Sequence, residues 1–206
     1  MRSLLFSLPL FALLASTAHA APKEEEKLPT IVPTGVSQFD PTFMEAKGIH
    51  DTIDTETNAL KEAKKGVNKA AGVAEDAPLD TGIAAIKTAA NGKLKLDNSG
   101  PTPRVKAVDG APDDVKNAAT AINKLLDAGE HTLGVVKDLA PKAKSLAETT
   151  AAFPGQLKDI DPKLVVTAGK KVGQDVKATA STPDRIDKLG KAAEEVFTAV
   201  KGAFTE

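Results

Sequence analysis

One ladder of small and apolar residues constrains this chain more than any other feature. Between Pro112 and Phe153, steps of three and four alternate without a break through Val115, Ala118, Ile122, Leu125, Gly129, Thr132, Val136, Leu139, Ala143, Leu146, Thr150 and Phe153. That spacing lines up one stripe of an α-helix. Leu126, Leu133 and Ala140 widen the stripe, as a helix facing a core requires. The stretch therefore predicts a long spine helix on which other helices pack. Pro141 lies inside it and removes one backbone bond. The ladder keeps phase across that proline, which predicts one kinked helix over two.

The same ladder recurs on both sides. Asp40-Pro41 opens a first helix, with Asp as N-cap and Pro at the first helical position. Its seam runs through Ala46, Ile49, Ile53, Glu56, Leu60, Ala63, Val67, Ala70 and Ala74. Acidic residues come early and lysines late, which complements the helix dipole. A shorter helix spans Pro78 to Asn91, with Leu79, Ile83, Ile86 and Ala90 on one face and Gly92 as its stop. Asp161-Pro162 opens another, with Val165, Ala168, Val172, Asp175, Val176 and Thr179. Thr182-Pro183 opens the last, with Ile186, Leu189, Ala193, Val196, Val200 and Ala203, widened by Phe197 and Phe204. Between Lys93 and Pro112 the period drops to two, in Lys93-Leu94-Lys95-Leu96 and Arg104-Val105-Lys106-Ala107-Val108. A small two-stranded arm and an irregular loop both fit that segment.

The expected fold class is all-α, an elongated antiparallel bundle of four to five helices with coiled-coil-like packing and one arm at about 93–111. Leu, Ile, Val and Phe make up about 22% of the residues after position 20, which predicts a folded but lean core. Arg2, the apolar run Leu4 to Ala15 and Ala18-His19-Ala20 predict an export signal cleaved after Ala20, and a periplasmic or extracellular destination. Residues 21–39 form a lead in which Leu28, Ile31, Val32 and Val36 either dock on the bundle or stay loose. Residues 40–206 form the bundle domain. Nothing after the signal is long and apolar enough to span a bilayer.

Composition excludes several chemistries. There is no Cys, hence no disulfide and no thiolate metal site. There is no Trp or Tyr to stack on bases, and a net charge of −1 provides no field for nucleic acid. Asp80-Thr81-Gly82 matches the aspartic-protease tripeptide, but it occurs once and in the first turn of a helix, where an acidic residue favours the helix N-terminus. Asp127 and His131 share a helix face with Glu130 nearby and could take a divalent metal, yet all three fall outside the spine seam. His50 lies at the edge of the first seam. Gly169 and Gly173 have a small-xxx-small spacing, read as close helix approach. Ser37, Ser99, Ser145 and Ser181 lack a His–acid pattern. The sequence therefore predicts no catalytic residue, no metal and no cofactor. The expected function is non-enzymatic: an exported structural or protein-interaction module contacting itself or an unknown protein. Two rivals are an amphipathic binder of lipid surfaces or apolar ligands, through the helix bearing Phe197 and Phe204, and a chaperone-like holdase.

Overall fold

The computed structural model describes residues 30–160 and 162–205. Residues 1–20, expected to be an export signal, residues 21–29 with Leu28, and Asp161 lie outside the described residues.

The spine forms as one helix, α3 (Asp113–Ala151), and runs unbroken through Pro141. It ends two residues before Phe153, which opens the one-turn α4 (Phe153–Gln156). Val115, Ala118, Ile122, Leu125, Gly129, Thr132, Ala143, Leu146 and Thr150 are buried. Val136 and Leu139 are only half-buried, and Ala140 is exposed. The stripe thus loses its cover around Pro141, which corrects the expectation that Leu139 is core.

Two long helices flank the spine: α1 (Asp40–Ala71) and α6 (Thr182–Phe204). Glu56 of α1 meets Thr132 of α3, while Glu62, Ala63 and Gly66 face Asn117, Thr120, Ala121 and Lys124 across a small cleft. Rising residue numbers on α1 therefore meet falling ones on α3, and the pair is antiparallel. On α6, Gly190 faces Val136 and Val196–Phe197 face Gly129, again antiparallel. Two helices antiparallel to a common third are parallel to each other. Accordingly His50 meets Thr182 and Asp54 meets Arg185. α5 (Pro162–Ala180) packs on α3 and α1, and a single residue, Ser181, joins it to α6. Ala168, Val172 and Ala178 are its buried apolar residues.

Several ends differ from expectation for local reasons. α1 stops at Ala71, not Ala74, because Gly72 takes a left-handed conformation (φ 69°) and its N–H reaches back to the helix's last carbonyls. Asp40 is already inside the helix and caps nothing ahead of it. Its carboxylate turns back to accept the Thr34 N–H and hydroxyl, both at 2.7 Å, and the Gly35 N–H at 3.1 Å. These bonds fold residues 31–36 onto the bundle: Ile31, Thr34 and Val36 are buried, whereas Val32 stays exposed. Phe39 stacks on Phe153 with centroids 4.3 Å apart, and Phe43 meets the same ring edge-on at 5.3 Å.

The segment of period two is a hairpin. β1 (Leu94–Asp97) pairs antiparallel with β2 (Arg104–Ala107), Leu94 opposite Ala107 and Asp97 opposite Arg104. Alone it would be marginal. Asn123 on α3 fastens it by accepting the Val105 N–H and donating to the Val105 carbonyl, both at 2.8 Å. α2 (Leu79–Ala90) packs on α1 and α6, and Gly82 lies against Asn68. The result is an all-α bundle carrying a small hairpin, and no helix among the described residues is long and apolar enough to cross a membrane.

Candidate functional site

A concavity lies between the parallel helices. α1 and α6 each pack along α3 but touch one another far less. The gap is an open groove of about 620 Å³, within the range of small-molecule clefts. Ile53 and Leu60 of α1 and Leu189 of α6 line it with almost fully buried apolar side chains, and Ala192 and Thr57 add to its walls. These are ladder residues of the two helices or their neighbours. Each stripe turns mainly toward α3, so its flank is left for the groove.

The rim is charged. Asp54 and Arg185 bridge the two helices at 2.5 Å. Beyond that bridge stand Lys61 and Lys64, one turn apart on α1, and Lys188 on α6, with Asp184 nearby. Among the described residues the three lysines make no ion pair, whereas Lys47, Lys65, Lys106, Lys116 and Lys191 each do. Four cations and two anions therefore border an apolar trough.

One end of the groove is pinned by His50. Its Nε2 lies 2.8 Å from the Thr182 hydroxyl, and a backbone hydrogen bond reaches Ala178, so α1 is tied to the α5–α6 corner. Burial, with help from the Arg185 charge, lowers the His50 pKa to about 4, so the ring is neutral at neutral pH. At the other end α2 packs against α1 at Asn68.

The remaining sequence candidates are absorbed by packing. Arg104 of the hairpin pairs with Asp127 at 2.7 Å and approaches Glu130 at 3.5 Å. His131 Nε2 lies 3.3 Å from Glu56 Oε1. The trio is thus shared among three different elements. Among the described residues no group of three His, Asp or Glu side chains is placed to hold a metal. Asp80 bonds the Thr81 N–H in the first turn of α2, and Gly82 is there because a Cβ would come within 2.2 Å of Asn68 Oδ1. Gly169 and Gly173 face open space, which corrects their reading as a close helix approach; the tight positions are Gly82, Gly129 and Gly190. The Phe197 ring packs toward α3, where a Cβ on Gly129 would lie 3.1 Å from it. Phe197 and Phe204 are both half-buried against the core.

A second polar position was visible in the ladder but carried no assigned role. Asp175 is 1% exposed. Its Oδ1 accepts the Val32 N–H at 3.4 Å, while Oδ2 and the Thr179 hydroxyl have no partner. Burial pushes the Asp175 carboxyl up to about 6, against the lowering effect of the Val32 amide. It ties the segment before α1 to α5.

Comparison with family models, with curated proteins and with solved structures finds no match.

Proposed function

We propose that this is an exported, non-enzymatic binding module whose α1–α6 groove receives an apolar ligand. The observation that carries the reading is the groove itself. Ile53, Leu60 and Leu189, themselves almost fully buried, form the floor of an open trough that Thr57, Ala192 and the lysine side chains wall in. A trough of this volume, open on one side, suits binding better than reaction, because its polar groups stand on the rim and not at a shared point inside. The export signal expected from Arg2 to Ala20 supports a binding role outside the cytoplasm.

Binding of a neutral apolar fluorophore, N-phenylnaphthylamine, tests this. The reading requires saturable binding of about one molecule per chain. Thr57→Trp and Ala192→Phe, which fill the trough, must abolish it while circular dichroism and the melting curve stay those of a folded bundle. Absence of saturable binding, or binding indifferent to both substitutions, overturns the reading.

One observation favours a protein-facing surface as a second reading. Val166 on α5 is 83% exposed, and Leu164 two residues earlier is 41% exposed. Val166→Asp tests it: a self-associating or scaffold protein would change its mass by light scattering, and a pure ligand binder would not.

A further inference from the structure

The groove's rim says more than its floor. Lys61, Lys64 and Lys188 converge on one stretch of the trough, from both of its walls. None has an ion-pair partner among the described residues. Two of the rim's other charges, Asp54 and Arg185, already neutralise each other. What remains, with Asp184 counted, is a net surplus of positive charge beside buried aliphatic side chains.

We propose that the groove takes a single-chain anionic amphiphile: a long acyl chain ending in a carboxylate or a phosphate. This rests on the groove being the binding site, as argued above, and names the chemistry of its occupant. The aliphatic tail would lie over the buried floor of Ile53, Leu60 and Leu189 and cover Ala192, the Thr57 methyl and the aliphatic stems of the lysines. The anionic head would meet the lysine ammonium groups, which bind phosphate or carboxylate as point charges. Neutral His50 and its Thr182 partner lie beyond the end away from the lysines and add no charge there.

Charge and composition argue against other occupants. A divalent cation would be repelled by the rim. A nucleic-acid strand needs aromatic stacking, and the chain has no Trp or Tyr.

Titration calorimetry of the purified protein with matched chains tests the proposal. Palmitate and a lysophosphatidic acid represent the two anionic heads, and hexadecanol supplies the same tail without charge. All are kept below their micelle concentrations. The proposal expects palmitate, the lysophosphatidic acid or both to bind with one site per chain, at least about tenfold tighter than hexadecanol, and more weakly at about 0.5 M than at about 0.02 M ionic strength. Lys61→Gln/Lys64→Gln/Lys188→Gln should remove that tenfold preference. The same variant must still bind N-phenylnaphthylamine and melt as the parent does, which keeps a loss of fold apart from a loss of charge.

Equal binding of hexadecanol and palmitate would overturn the anionic head and leave the apolar groove standing. Failure of every chain and of the neutral fluorophore would overturn both. Flotation with anionic vesicles, without binding of monomeric amphiphile, would overturn the groove ligand in favour of a membrane surface.

Discussion

Glu56 on α1 and Thr132 on α3 meet in the core, the threonine hydroxyl donating to Glu56 Oε2 at 2.9 Å. Both occupy ladder positions where an apolar residue would be expected, and both are buried. Each is a misfit in its own helix, but together they form a polar step that fixes how α1 and α3 register, as a single polar layer does in coiled coils.

Removing one partner should hurt more than removing both. Thr132→Val strands a buried carboxylate oxygen and should cost about 1–3 kcal/mol. The pair Glu56→Leu/Thr132→Val should lose less than the sum of its singles, with a coupling of about 0.5–3 kcal/mol in urea denaturation. Additive losses would mean that the bond contributes nothing to register.

Glycine positions separate packing from backbone entropy. Gly82→Ala puts a Cβ 2.2 Å from Asn68 Oδ1. Asn68 cannot withdraw freely, because its amide donates to the Glu75 and Ala77 carbonyls. A loss of about 1–3 kcal/mol is expected. Gly48 lies in α1 with open space around its Cβ position, so Gly48→Ala should gain up to about 1 kcal/mol. Thermal melts of the two variants should move in opposite directions.

The half-buried stretch of α3 gives a graded test. Leu125 is fully enclosed, and Leu125→Ala should cost about 2–5 kcal/mol. Leu139 is only half-buried, so Leu139→Ala should cost less than about 2 kcal/mol. Equal losses would mean that Leu139 is covered in solution by something beyond the bundle.

Two buried groups oppose each other in pH. His50 titrates near 4 in the folded chain and near 6.5 when unfolded. Between those values only the unfolded chain binds its proton, so this term raises stability as pH rises. Asp175 titrates near 6 folded and near 3.8 unfolded. There the folded chain holds the proton, so its term lowers stability as pH rises. Between about pH 4 and 6 the two slopes cancel in large part, and the parent should be nearly flat. Asp175→Asn should leave stability rising with pH by about 1–3 kcal/mol, and His50→Gln should leave it falling by a similar amount. Denaturation midpoints at pH 4, 5 and 6 read both slopes; parallel curves for all three proteins would refute the assignment.

The helices were legible because their stripes are periodic. The period of two at 93–111 fitted a hairpin and a loop alike, and what decides for the hairpin is Asn123, which lies outside that segment. The first seam continues to Ala74 in the sequence, but the helix ends at Gly72; a helical pattern does not announce which glycine turns left-handed. Asp40 looked like a forward cap, but its carboxylate serves Thr34 and Gly35 behind it. Asp127, Glu130 and His131 were rightly placed off the seam, yet their partners Arg104 and Glu56 come from distant parts of the chain. The groove was not legible at all. Lys61, Lys64 and Lys188 read as ordinary solvated charges until α1 and α6 are known to be parallel neighbours, and neighbour order is set by packing on α3.

That parallel order also fixes when the groove comes into being. The contacts that close it, His50 with Thr182 and Asp54 with Arg185, join residues 132 and 131 positions apart. Contacts of such separation cost somewhat more loop-closure entropy than nearer ones. The α1–α3 and α3–α6 pairs each close shorter loops, so the groove is expected to be completed only once both helices are docked on α3. A chain interrupted between α3 and α6 has both the spine and α1 but nothing to hold a ligand. Ligand binding would then report that α6 has been made and docked.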